Sequence, residues 1–421
     1  MRHMVMSVAA LQEHIDKLAA DIVRQESVLK DLWRSKGAAQ RQLNAIRDPM
    51  ARMPLEISSE IFLQCRNSRP EPSADQPPLL FLNICNGWRD IALSTPALWS
   101  AIHADKPKDD LGSILVTWLK RAGGRALSIS LPTPVTRDIA QAIGYYTHQL
   151  QDLGMFHDAD DIRLIAAKGP FVFLETLTLA GVPTDSVPRC SISHTIEMLD
   201  VCPNINEYTL ANVFYADDYY DHDHFDIRVL PCIQHFNLGR PDDASASSAV
   251  VLRRISLPSL KTFYLPVTHD LPFPKLIQFF TRSLPPLQKF IVGGGSWNAE
   301  WTLSEMKECL ALLPTLTHFE VQPIGQHVAD GFITTLGSSP HLLPNASAIT
   351  FQPFYPPVEW YQKLLTVLSA RRDQIRIVQV IWADNPYQTR EAPPQDVCVR
   401  LRQLAADGME IHIGTEQRNY I

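Results

Sequence analysis

No two of the seven cysteines stand at Cys-x-x-Cys spacing. Cys65, Cys85, Cys190, Cys202, Cys232, Cys309 and Cys398 are scattered, and their number is odd. That argues against a disulfide framework or a zinc knuckle, and for reduced thiols in the cytosol or nucleus. No apolar run approaches the ~18 residues of a membrane helix. The opening MRHMVMSVAAL is too short in its apolar stretch for a secretory signal, and Glu13 and His14 follow at once. Positive charge is not in excess: 38 Lys and Arg stand against 45 Asp and Glu, for a net charge of −7. Neither nucleic acid nor an anionic membrane is favoured as a partner by that balance.

Catalytic signatures are missing as well. There is no Gly-x-Ser-x-Gly and no His-Glu-x-x-His, which removes a nucleophile elbow and a zinc-peptidase helix. Gly293-Gly294-Gly295-Ser296 lacks the Lys of a phosphate loop, so its glycines are expected to turn the chain sharply after a strand. Asp242 to Ser248 is small and polar, as expected of a loop insertion. Metal-type ligands cluster between Tyr215 and Asp226, where His222 and His224 alternate with Asp221, Asp223 and Asp226. Imidazole and carboxylate together can hold a divalent ion. The spacing is not that of a calcium loop, and a solvated loop that contacts a substrate is the favoured reading. No catalytic residue, cofactor or metal is expected.

What the chain does have is 32 prolines and three blocks of apolar periodicity. Its length suggests two or three domains at about 150 residues each. The first block, residues 8–47, reads as one long helix. Val8, Leu11, Ile15, Leu18, Ile22, Gln25, Leu29, Leu32, Lys36, Ala39, Leu43 and Ile46 alternate in steps of three and four. A stripe this narrow suits a coiled-coil seam, with Gln25 and Lys36 weakening it while fixing register. The alternative is a single helix folded back on a following domain. Asp48-Pro49 ends it.

The second block, residues 48–103, reads as three short helices. Pro54 suits a first helical turn, and Leu55, Ile61 and Phe62 follow on one face. Leu80, Ile84, Trp88 and Ile91, spaced four, four and three, predict a second helix. Thr95-Pro96 opens a third, which presents Leu98, Trp99 and Ile102. Pro54, Leu55, Glu56, Ile57, Ile61, Phe62, Cys85, Trp88, Arg89, Leu98 and Trp99, in that order, resemble an F-box, and the STPALW variant looks most like the fungal set. Met53 departs from the usual Leu but can fill the same pocket. The spacer from Arg66 to Pro78 is richer in Pro than usual.

The resemblance implies docking on the Skp-type adaptor of a cullin-based ubiquitin ligase, with the rest of the chain selecting a protein substrate. The residues it implicates in adaptor binding are Pro54, Leu55, Glu56, Ile57, Ile61, Phe62, Trp88, Leu98 and Trp99. The same apolar residues could also pack a small helical core, and a unit this size leaves an apolar face for a partner.

Residues 104–125 read as a linker with a helix around Leu111 to Arg121, stopped at Gly123-Gly124. Ala126 to Leu131 then reads as a first strand. From there to residue 421 a unit repeats: apolar-x-x-apolar-x-apolar, often with Pro two residues before it. Its copies are Leu174/Leu177/Leu179, Ile205/Tyr208/Leu210, Ile233/Phe236/Leu238, Leu260/Phe263/Leu265, Leu287/Phe290/Val292, Leu316/Phe319/Val321, Ala346/Ile349/Phe351 and Ile375/Val378/Val380. First members recur every 27 to 31 residues, by subtraction of their numbers.

Helices are predicted at Pro274 to Ser283, Leu303 to Leu313, Val328 to Leu336, Val358 to Arg371 and Val397 to Asp407, with Glu410 to Ile413 as a final strand. A strand and helix that cannot bury their apolar faces alone must stack into a solenoid. This block resembles leucine-rich repeats, with strands expected on the concave side and helices on the convex side. It departs from them at Val182 and Val213, where the Asn or Cys of the usual ladder is absent. The expected architecture is therefore multidomain α/β. Trp297, Trp301, Trp360 and Trp382 are candidates either for partner anchors or for the core.

Overall fold

A computed structural model describes residues 8–104, 110–131, 134–156, 158–181, 191–211, 213, 215, 226–239, 248–266, 273–293, 303–322, 326–339, 341–352, 356–382, 393–415 and 418–421. The chain divides into two compact units: Met1–Ile102 with Lys120–Arg125, and His103–Leu119 with Ala126–Ile421. It is a mixed α/β protein with a long N-terminal helix and a large parallel sheet.

In the first unit, α1 (Val8–Arg47) runs 40 residues without a break, through Gly37. Ion pairs Lys17–Glu13 (2.7 Å), Arg24–Asp21 (3.3 Å) and Arg34–Asp31 (3.2 Å) join residues one turn apart. Such exposed pairs add only a few tenths of a kcal/mol each. Beyond α1, the Asp48 carboxylate accepts the Met50 N–H at 2.9 Å and turns the chain into a short 3-10 helix, Met50–Arg52.

Helix α2 (Leu55–Gln64) starts one residue later than expected. Pro54 is its N-cap, with ψ 144°, and its carbonyl accepts the N–H groups of Ile57 and Ser58, both at 3.1 Å. The expected second helix is two: α3 (Leu79–Ile84) and α4 (Asn86–Leu93). Cys85 between them is extended, at φ −157° and ψ 170°, and its Sγ accepts the Trp88 N–H at 3.5 Å. Of the four residues expected on one helical face, Ile91 is buried and Trp88 and Leu80 are half-buried, but Ile84 is 48% exposed, and Phe81 is the buried residue of α3. The expected third helix is a four-residue 3-10 turn, Pro96–Trp99.

Phe62, Phe81 and Trp88 form the core of this unit, with ring centroids 4.1, 5.1 and 5.9 Å apart. Trp99 is fully buried. Its indole N–H donates to the Ala92 carbonyl at 2.9 Å, and the Arg121 guanidinium lies 4.5 Å over its ring.

In the second unit, helix α5 (Leu111–Ala122) begins, ending in the first. The sheet then builds strand by strand in chain order: Leu127–Leu131, Leu150–Phe156, Thr176–Ala180, Glu207–Ala211, His235–Asn237, Thr262–Leu265, Lys289–Val292, His318–Val321, Ala348–Phe351, Ile377–Ile381 and Glu410–Thr415. Each is parallel to the next. Arg418–Asn419 adds an antiparallel edge. The intervening helices are α6 (Arg137–Gly144), α7 (Ala159–Ala166), α8 (Ile192–Asp200), α9 (Phe273–Ser283), α10 (Leu303–Ala311), α11 (Gln326–Ser338), α12 (Val358–Ala370) and α13 (Gln395–Ala406). A 3-10 helix, Ser248–Arg253, stands where a helix would precede Thr262–Leu265, and a small sheet pairs Arg228–Val229 with Ile255–Ser256.

The repeat register is the one its spacing predicts. Leu177, Tyr208, Phe236, Phe263, Phe290, Phe319, Ile349 and Val378 stand directly opposite one another across successive strands. The aromatic members stack as a column: Tyr208–Phe236 at 5.2 Å, Phe236–Phe263 at 5.6 Å, Phe263–Phe290 at 5.7 Å and Phe290–Phe319 at 6.1 Å. The spacing argument missed one copy, Leu150/Leu153/Met155, which has His148 where six of the other eight copies have Pro. It also missed α6, α7 and α8.

A backbone ladder does the work of the missing Asn ladder. At seven strand entries one carbonyl accepts two successive N–H groups of the next repeat. Asn206 and Glu207 donate to Glu175, Gln234 and His235 to Asn206, and Lys261 and Thr262 to Gln234, all at 2.8–3.0 Å. The pattern continues through Gln288/Lys289, Thr317/His318, Ser347/Ala348 and Arg376/Ile377. Side chains just before the first apolar member add to it. Asn204 donates to the Val172 carbonyl (2.7 Å), Thr315 to Leu287 (2.9 Å) and Asn345 to Pro314 (2.8 Å). Gln374 donates to Leu343 (2.6 Å) and Ala346 (3.1 Å). Buried backbone oxygens are thereby satisfied, as a dry interior requires.

Candidate functional site

Besides α1, two surfaces among the described residues lie open to a partner. The first is on α2. At 100° per residue its buried stripe is Ser58 and Phe62, and Leu55 flanks that stripe on one side, Ile57 and Ile61 on the other. Leu55, Ile57 and Ile61 are 46%, 52% and 39% exposed. Pro54 and Glu56 are also exposed and Trp88 is half-buried, whereas Phe62, Leu98 and Trp99 lie inside the unit. The sequence-predicted residues thus divide into an outer set on α2 and an inner set that builds the core beneath it.

The inner set is held by directed bonds. Arg89 donates through Nε (3.0 Å) and Nη2 (2.8 Å) to the Leu82 carbonyl and ties α4 to α3. The Cys85 thiol donates to the Asp48 carboxylate at 3.4 Å. Thr95 shares a 2.7 Å hydrogen bond with Ser59 and donates to the Ile91 carbonyl at 2.7 Å, and Ser58 Oγ donates to the Met50 carbonyl. None of these bonds uses Leu55, Ile57 or Ile61.

The second surface is the open face of the solenoid sheet. Residues between the buried repeat positions form rows across it. Glu207, His235, Thr262, Lys289, His318, Ala348 and Ile377 are one row in register, and Thr209, Asn237, Tyr264, Ile291, Glu320, Thr350 and Gln379 the next. Lys289 and Glu320 pair across the rows at 3.6 Å. Period-2 alternation placed these side chains outward, with Ala348 buried as an exception, but only the register brings them together.

Trp360 and Trp382 are buried, so both belong to the core; Trp297 and Trp301 lie outside the described residues. The Tyr215 to Asp226 cluster lies almost wholly outside them too, as do Gly294, Gly295, Ser296, Val182 and most of Asp242 to Ser248. Gly293 is described: its φ is +139°, and a Cβ there would come within 2.8 Å of the Gln322 carbonyl, so the position requires glycine, while the turn expected after it lies outside the described residues. Among the described residues no group of three His, Cys, Asp or Glu is placed to hold a metal ion, and no helix is long and apolar enough to cross a membrane. The six described cysteines are all unpaired with one another. Burial pushes the Cys202 thiol up to about 12 and raises Cys309 as well, so neither is a thiolate near neutral pH.

The chain is similar to the leucine-rich repeat-containing protein LegL7 from Legionella pneumophila. That match has a TM-score of 0.38 and 12% identity, and covers 69% of this chain and 94% of the other. No protein-family model and no curated protein matches the sequence.

Sequence reasoning missed the carbonyl-satisfying side chains, Arg371 above all. Arg371 is 5% exposed and donates to the carbonyls of Leu342 (2.7 Å), Ser339 (2.7 Å) and Leu336 (3.0 Å). Burial lowers its pKa from the usual value. A polar residue between Pro and the first apolar member, as at Asn204, Thr315 and Asn345, was the available signal for this layer.

Proposed function

We propose that this chain is a non-enzymatic substrate-recognition subunit of an SCF-type ubiquitin ligase. Residues 48–103 would serve as the F-box, docking a Skp-type adaptor and through it a cullin, while the solenoid's open face would bind a protein substrate. The observation that carries the reading is the exposure of Leu55, Ile57 and Ile61 beside a core that Phe62, Phe81 and Trp88 close without them. Aliphatic side chains left outside a satisfied core are what a docking helix offers. The Pro-Leu-Glu-Ile, Ile-Phe, Trp-Arg and Leu-Trp pattern supports the choice of partner. Such a subunit acts in the cytosol or nucleus, where thiols stay reduced.

The test is adaptor binding by the full chain. Leu55→Ala or Ile61→Ala should cost about 2 kcal/mol, roughly thirtyfold in affinity. Both positions are exposed, so the variants keep their thermal stability. Full adaptor affinity in a folded Leu55→Ala/Ile61→Ala chain would refute the docking face. No affinity in the parent chain would refute the adaptor and leave an interaction scaffold.

A further inference from the structure

Helix α1 exposes Leu11, Ile15, Leu18, Ile22, Leu29, Leu32, Leu43 and Ile46, each between 40% and 64% accessible. Their spacing assigns heptad positions. Val8, Ile15, Ile22, Leu29, Lys36 and Leu43 fall at a; Leu11, Leu18, Gln25, Leu32, Ala39 and Ile46 fall at d. The ion-paired residues Glu13, Lys17, Arg24, Asp31 and Arg34 lie at c and f, away from that seam, and only Asp21, the partner of Arg24, lies beside it at g.

We infer that α1 is the strand of a parallel two-stranded coiled coil, and that its occupant is a second copy of this chain. The inference is independent of the adaptor reading. Three observations carry it. β-branched residues at a (Val8, Ile15, Ile22) with Leu at d (Leu11, Leu18, Leu32) favour two parallel strands over three or four. A single Lys at a, Lys36, is a register-setting device of such dimers. Parallel in-register pairing brings each g residue against the e residue five positions on in the partner, which joins Val28 to Trp33 around the Leu29 and Leu32 layers. Both are exposed in the single chain, at 54% and 60%.

The area is also of the right size. At roughly 60–120 Å² for each aliphatic side chain withdrawn from water, the eight come to about 500–950 Å² per helix. A stable standard interface takes about 800 Å² per partner. Three features oppose the pairing, the first being the polar Gln25 at d. Asp21 at g meets Glu26 at e, although Arg24 already pairs with Asp21, and Lys36 faces its own copy. None of these reaches the Val8 to Leu18 segment of the seam, where apolar layers are continuous. The consequence is two solenoids in one assembly, so a substrate with two sites binds by avidity.

The test is the mass of the full chain in solution by sedimentation, at about 10 μM. The 47.4 kDa chain should run as a dimer. Ile15→Glu/Ile22→Glu should weaken it at least about a hundredfold and give a monomer whose solenoid melts at the parent temperature. A monomeric parent, a trimer or larger, or a variant that stays dimeric overturns the proposal. Orientation is read by mixing the parent with Lys36→Glu. Parallel pairing sets Lys36 against the introduced carboxylate and makes the mixed dimer the preferred species, whereas statistical mixing overturns the parallel arrangement.

Discussion

Truncating Phe263 is the most direct test of the stacked column. The ring is fully buried. It has Phe236 at 5.6 Å and Phe290 at 5.7 Å along the column, and Phe279 at 5.9 Å and Phe280 at 6.1 Å from α9. Rings on both sides and a helix behind leave little room for collapse, so Phe263→Ala should cost near the upper end of about 3–5 kcal/mol. The two stacked contacts contribute about 0.5–1.5 kcal/mol each beyond area. Phe263→Ala and Phe290→Ala together should therefore fall short of additivity by about 1 kcal/mol. Urea unfolding followed by far-UV circular dichroism measures both quantities. Because repeats couple to nearest neighbours, the loss should appear in the segment around the substitution first. A cost below about 1.5 kcal/mol, or strict additivity of the pair, would refute the column as a stabilising element.

Two further outcomes follow from buried charge. Asp161 is 6% exposed; burial above all, with Asp158 and Asp160 adding, raises its pKa to about 6, against the Val135 N–H that lowers it. The folded state keeps this proton to about pH 6 and the unfolded chain only to about 4, so stability falls by up to about 3 kcal/mol as pH rises from about 4 to 6 and is flat above. Asp161→Asn, neutral at every pH and still able to accept from Val135, should be the more stable protein at pH 7.5 and lose that slope in urea midpoints; an unchanged slope counts against Asp161 as its source. Arg371→Met removes a donor from three buried carbonyls and should cost about 3–5 kcal/mol, whereas Arg372→Met, at an exposed neighbour, should stay within about 0.5 kcal/mol. Equal effects at the two positions would show that Arg371 is not a structural pin.

Much of this molecule is written in local periodicity. The three-four alternation from Val8 to Ile46 is enough for a single long helix, because one apolar stripe needs only one repeating angle. The apolar-x-x-apolar-x-apolar unit is enough for strands in register, since a slip by one residue would turn Phe263 and its column outward. The copy at Leu150 and the helices from Arg137 to Asp200 were not read from the sequence.

What depends on contacts distant in sequence could not be read this way. The break at Cys85 is set by a cap whose thiol also reaches Asp48, 37 residues away. Equally apolar residues, Ile61 and Phe62, were separated into surface and core only by where Phe81 and Trp88 come to lie. The carbonyl ladder and Arg371 depend on a neighbouring repeat about thirty residues off. Sequence by itself determined the long N-terminal helix and most copies of the repeat, because period is a local property. Tertiary structure decided which side chains face a partner, because burial is a property of neighbours that the chain meets only on folding.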